Sequence, residues 1–80
     1  MKHTSSDTLT ALADQIADKV RELDTIGTPP EIGQAGFALA GMLYNAARHP
    51  EVSAAPIPRM IADADRMIAM ARNVIERAAR

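Results

Sequence analysis

The sequence predicts an all-α fold: three helices in an up-down-up bundle, or a helical hairpin plus a third helix, completed by homodimerisation. Three observations predict it. Apolar residues recur at spacings of three and four in three separate stretches, and none alternates as a strand does. Gly27 and the prolines fall between or at the edges of those stretches, where helices stop and start. The middle stretch has no charged side chain from Ile32 to Ala47, in a chain of 80 residues that is too short to wrap a helix on every side.

The first helix is expected over residues 6–26, after a flexible tail over 1–5. Leu9, Leu12, Ile16, Val20 and Leu23 make its apolar stripe, which Ala13 and Ala17 widen. Thr4, Ser5 or Ser6 is expected to cap its start, with Asp7 in the first turn where the helix dipole favours an acid. Gly27 is the expected stop, because glycine accepts the left-handed backbone that follows a helix end.

The second helix is expected over 29–48. Thr28-Pro29-Pro30-Glu31 reads as a capping box, in which Thr28 accepts from the Glu31 amide and the Glu31 side chain accepts from the Thr28 amide. Prolines in a first turn cost no hydrogen bond. The short connection makes the first two helices antiparallel neighbours. His49-Pro50 ends the helix, since a residue before proline avoids the helical region. A loop follows, with a single turn expected at 51–54.

The third helix is expected over 57–79. Ile61, Ile68 and Ile75 stand seven apart, Ile57, Ala64, Ala71 and Ala78 fill the alternate seam position, and Met60, Met67 and Val74 flank them. Together these residues make the apolar face of a bundle helix. Met70 is the exception, on the polar side.

Helix 2 carries the functional expectation. Its uncharged surface must be covered by another molecule, and its glycines mark where. Each of Gly33, Gly36 and Gly41 costs about 0.8–1 kcal/mol relative to alanine inside a helix. Gly33, Gly36, Ala40 and Ala47 lie along one small-residue side, while Phe37, Gly41 and Tyr44 form a second stripe with a notch between two aromatics. The expected oligomer or partner interface is therefore Gly33, Gly36, Phe37, Ala40, Gly41 and Tyr44, together with Met70. Gly41 is expected at a helix–helix contact across an oligomer or at a partner site.

Other chemistry has little to stand on. There is no cysteine, so disulfides and thiolate metal sites are excluded. His3 and His49 are far apart, Ser5, Ser6 and Ser53 are the only serines, and Asp63 and Asp65 point away from each other on a helix. Neither a catalytic residue nor a cofactor or metal site is expected. The formal net charge of −1 and the two aromatic residues argue against a bulk nucleic-acid binder or a base-stacking platform. Gly33-Gln34-Ala35-Gly36 matches the G-x-x-G of an RNA clamp, but inside a helix and without a basic neighbour. Asp14, Asp18 and Glu22 make an acidic ridge on the first helix. Net charge runs −2 over residues 1–27, −1 over 28–55 and +2 over 56–80, so the outer helices have opposite signs.

The expectation is a non-catalytic homodimer that binds, and inhibits or regulates, an unidentified protein partner in the cytoplasm. Small phage- or plasmid-borne inhibitors are of this size, although no motif ties the chain to them. The polar start from Met1 to Ser6 and the lack of a long apolar run give no expectation of a secretory signal or a membrane span. The alternative is a small dimeric DNA-binding regulator that contacts nucleic acid through Arg59, Arg66, Arg72 and Arg77 of the third helix.

Overall fold

The computed structural model describes residues 4–49, 51 and 56–80, and all the regular structure among them is helical apart from a short 3₁₀ position at Glu51. Helix α1 spans Thr4–Thr25, α2 spans Pro30–Arg48 and α3 spans Ile57–Ala78. Of the expected N-terminal tail, residues 1–3 lie outside the described residues, and Thr4 and Ser5 are already helical. The turn expected at 51–54 also lies largely outside them.

Ser6 is not a cap. It sits inside α1, and its hydroxyl donates to the Ala47 carbonyl at 3.3 Å, tying the start of α1 to the end of α2. The other end of α1 closes at Gly27, whose φ of 81° is the only positive value among the described residues. The Gly27 amide donates to the Asp24 carbonyl at 3.1 Å and the Thr28 amide to the Leu23 carbonyl at 3.2 Å, the paired bonds of a Schellman stop.

That stop replaces the expected capping box. The Thr28 hydroxyl donates to the Leu23 carbonyl at 2.9 Å, so it finishes α1 and does not begin α2. Pro29 is the residue preceding α2, with no side-chain cap, and Pro30 is the first helical residue. The Thr28 amide and hydroxyl both donate to the Leu23 carbonyl, which draws Thr28 to the end of α1 and leaves α2 without a side-chain cap.

Helices α1 and α2 run antiparallel. Ser6 meets Ala47, Asp14 meets Tyr44 and Val20 meets Gly36, so partners descend along α2 as they climb α1. Helix α1 is the shared element, packed extensively on both neighbours, whereas α2 and α3 touch sparingly. The core is accordingly richest in α1 residues: Leu9, Leu12, Ala13, Ile16, Val20 and Leu23 are all buried. Leu43 and Met60 complete it from the other two helices. From α3 the buried residues are Met60, Ala64, Ile68 and Ala71. The isoleucine seam is thus rotated from the expected one. Ile61 and Ile75 are half-buried and Ala78 is exposed, because α1 passes on the methionine–alanine side.

The tightest packing lies at Gly36. A Cβ built there would stand 2.5 Å from Val20 Cγ2 and 2.9 Å from Met67 Cε, so all three helices converge on a position with no side chain. Gly36 and Ala40 are both buried in the chain's own core. Neither is open to a second molecule, which corrects the expectation that both belong to an interaction surface. Packing against α1 and α3 is what these small residues serve.

Candidate functional site

Once α1 and α3 are in place, α2 keeps a long outward face. Glu31, Gln34, Ala35, Phe37, Ala38, Gly41, Met42, Asn45 and Arg48 are all exposed, and between Glu31 and Arg48 the face carries no charge. Two large apolar side chains stand on it, Phe37 at 51% and Met42 at 44% exposure. Helices α1 and α3 show water the opposite character, with acids and bases along their exposed sides.

The expected interface residues now separate. Phe37 and Gly41 lie on the outward face. Among the described residues nothing lies within 4 Å of a Cβ built at Gly41, so no contact among them explains a glycine there. Gly33 is half-buried at the α1–α2 seam, where a built Cβ would meet Val20 Cγ1 at an ordinary 3.4 Å. Tyr44 is half-buried against the core and turned towards α1, where its hydroxyl donates to the Asp14 carboxylate. Met70 is exposed on α3 at 38% and stands apart from the α2 face. Sequence reasoning missed Met42, Ala38 and Asn45. Their signal was positional: they fall on the side of α2 opposite Gly36 and Ala40.

A shallow hollow of about 230 Å³ lies beside this face. It is framed by Val20, the Thr28–Pro30 turn, Gly33 and Phe37, with Arg21 and Asp24 as its charged groups. Its volume is below the ~300–1,000 Å³ of a typical small-molecule site.

The acidic ridge on α1 is internally matched. Asp14 accepts from Tyr44, Asp18 pairs with Arg21 at 2.9 Å, and Glu22 pairs with Lys19 at 3.4 Å. On α3, Arg66 pairs with Asp63. Arg59, Arg66 and Arg77 share one exposed side of α3. Arg72 is rotated away by about 120–140° at ~100° per residue. Among the described residues, no group of three His, Cys, Asp or Glu side chains could hold a metal ion, and no helix is long and apolar enough to cross a membrane.

The Tyr44–Asp14 bond carries a pH prediction. Accepting that hydrogen bond, the Asp14 carboxylate raises the Tyr44 phenol above its ordinary pKa of 10.0, with desolvation acting in the same direction. The folded chain therefore holds this proton more tightly than the unfolded chain does. The stabilisation is complete below pH 10 and is lost as pH climbs through the raised value, where phenolate and carboxylate would repel. Urea midpoints of the wild type and Tyr44→Phe, measured from pH 8 to pH 12, should differ in favour of the wild type at pH 8 and converge at the alkaline end. A difference unchanged across that range would sink the assignment.

The fold and the outward face define the class: an all-α protein of three helices whose middle helix shows an uncharged surface. Compared with known proteins, the chain matches no family model, no curated protein and no solved structure.

Proposed function

We propose that this chain is a small non-catalytic interaction module that works by binding protein through the outward face of α2, as a homodimer that blocks or regulates a further partner. The observation that supports this reading is the uncharged, exposed surface between Glu31 and Arg48, with Phe37 and Met42 standing on it. A solvated helix of a small domain normally presents charge on its outer side. Gly41 adds to the case. An exposed glycine inside a helix costs about 0.8–1 kcal/mol relative to alanine, and close approach by an outside backbone is the physical reason to keep one.

Photocapture tests the reading. A photoreactive residue at Met42 should give a protein adduct in cells of the native host, whereas one at Gln15 on α1 should not. An adduct at twice 8.6 kDa identifies a second copy, and any other mass identifies a different protein. Absence of any adduct at Met42 overturns the reading. Gly41 gives an independent check on purified protein. If the face is bare, Gly41→Ala should raise stability by about 0.8–1 kcal/mol and Gly41→Leu should leave the mass unchanged. If the face is covered closely, Gly41→Leu should dissociate the assembly while helicity stays intact.

One observation supports the DNA-binding alternative, namely the common exposed side of Arg59, Arg66 and Arg77. Phosphate contacts would make duplex binding fall steeply with salt. Failure to bind duplex DNA at about 50 mM salt would remove that alternative.

A further inference from the structure

The occupant of the α2 face follows from the order of residues along it. We infer that it is α2 of a second copy, antiparallel, related by a two-fold axis passing between Leu39 and Ala40. This rests on the reading of α2 as the interaction face and adds the partner and the register.

Glu31, Gln34, Ala38, Gly41, Asn45 and Arg48 are all exposed, and they succeed one another at intervals of three, four, three, four and three. That is the seam of a helix that pairs with another helix. The seam is palindromic in chemistry. Folded about its midpoint, Glu31 falls opposite Arg48, Gln34 opposite Asn45, and Ala38 opposite Gly41. Beside it, Phe37 stands on one flank of the seam and Met42 on the other, so each lies on the same side as its own counterpart in the second copy, and both large exposed apolar side chains are covered. A two-fold contact requires this property, since residue i must suit residue j and j must suit i.

Each pairing has a physical reason. Acid meets base at both ends. Amide meets amide in the next layer, where a misplaced register would leave polar groups buried without partners. The two smallest residues lie at the centre and let the axes approach near the lower end of the ~8–10 Å range. Gly41 is open in the single chain because its neighbour belongs to the other copy. A parallel arrangement would stack Glu31 on Glu31 and Arg48 on Arg48 and turn the attraction at both ends into repulsion. The exposed sides of α1 and α3 offer no such self-complementary order, since each carries charges along its length.

The chain has no cysteine, so single thiols report the register cleanly. In the proposed dimer, position 34 lies level with position 45 of the second copy, while the two copies of position 34 are about 16 Å apart along the axis. A disulfide needs Cα atoms within about 7 Å. Mixed Gln34→Cys and Asn45→Cys chains should therefore cross-link on mild oxidation, and neither variant should cross-link alone. Charge exchange gives a second readout by sedimentation at low salt. Glu31→Arg and Arg48→Glu should each weaken the dimer about tenfold, and the double variant should recover most of the loss. The two positions are about 25 Å apart on one helix, so rescue must come from another chain. Cross-linking of Gln34→Cys with itself, or absence of rescue in a chain that is dimeric, overturns the antiparallel register and leaves α2 as the interaction face. A chain that stays monomeric to about 0.5 mM overturns self-pairing altogether, and the mass of the Met42 adduct then decides the wider reading.

Discussion

Replacing Gly36 by leucine is expected to unfold the protein, and replacing it by alanine to lower stability by about 1 kcal/mol. The alanine case is a balance of two effects. A helix gains about 0.8–1 kcal/mol when glycine becomes alanine. Against this, the new methyl would stand 2.5 Å from Val20 Cγ2 and 2.9 Å from Met67 Cε. The Met67 methyl ends a flexible, half-buried side chain and can swing aside. Val20 cannot, because a β-branched side chain is stiff at χ1 and this one is only 3% exposed. Overpacking of this kind costs ~1–3 kcal/mol, so the clash outweighs the gain in propensity. Leucine adds three more carbons to the same gap and reaches or exceeds the top of that range. Thermal melts should show Gly36→Ala lowered by about 4–8 °C and Gly36→Leu without a cooperative transition. Val20→Ala should cost less in the Gly36→Ala chain than in the wild type, because there it also removes the atom that clashes. A rise in melting temperature for Gly36→Ala alone would show that the three helices do not converge there.

Gly36 is closed in by α1 and α3 while Gly41, five residues further along α2, stands open, and only part of this was legible in the sequence. Periodicity gave the three helices, because heptad-like spacing is a local property that α1 and α3 display without reference to their partners. Gly27 was legible as a stop for the same reason: a left-handed residue is a local requirement. Thr28 was misread because a hydroxyl between two helices can serve either one, and the choice depends on which backbone groups lack partners. The Leu23 carbonyl at the end of α1 takes both the amide and the hydroxyl of Thr28, so Thr28 serves α1. Which side of α2 turns inward was not legible either. Every residue from Ile32 to Ala47 is uncharged, so polarity gives no contrast between the two sides. The structure supplies that contrast through packing: Gly36, Ala40 and Ala46 let α1 and α3 close over the inward side and Leu43 fills the core among them, while Phe37 and Met42 are left outside.

The same division between the two sides of α2 sets the second large effect. Leu43→Ala is expected to cost about 2–5 kcal/mol, while Met42→Ala, one residue away, changes the stability of the single chain by about 0.5 kcal/mol or less. Leu43 is fully buried, packed in the cluster that Leu9, Ile16 and Met60 share with it, and truncation would open a cavity at the centre of the core. A domain of this length has roughly 4–12 kcal/mol of total stability at ~0.05–0.15 kcal/mol per residue, so the loss is a large share of the whole. Met42 is 44% exposed and contributes little to that core. Urea titrations at low micromolar concentration should place the Leu43→Ala midpoint far below wild type and the Met42→Ala midpoint beside it. Concentration then separates the two roles of the helix. If α2 pairs with a second copy, the wild-type melting temperature rises with protein concentration, because association stabilises only the folded chain. Met42→Ala should flatten that dependence without moving its low-concentration limit, since it removes a contact made only between copies. Leu43→Ala should lower the whole curve. A Met42→Ala chain destabilised as much as Leu43→Ala would mean that the outward face is part of the fold itself, and that the uncharged surface of α2 is not available to another molecule.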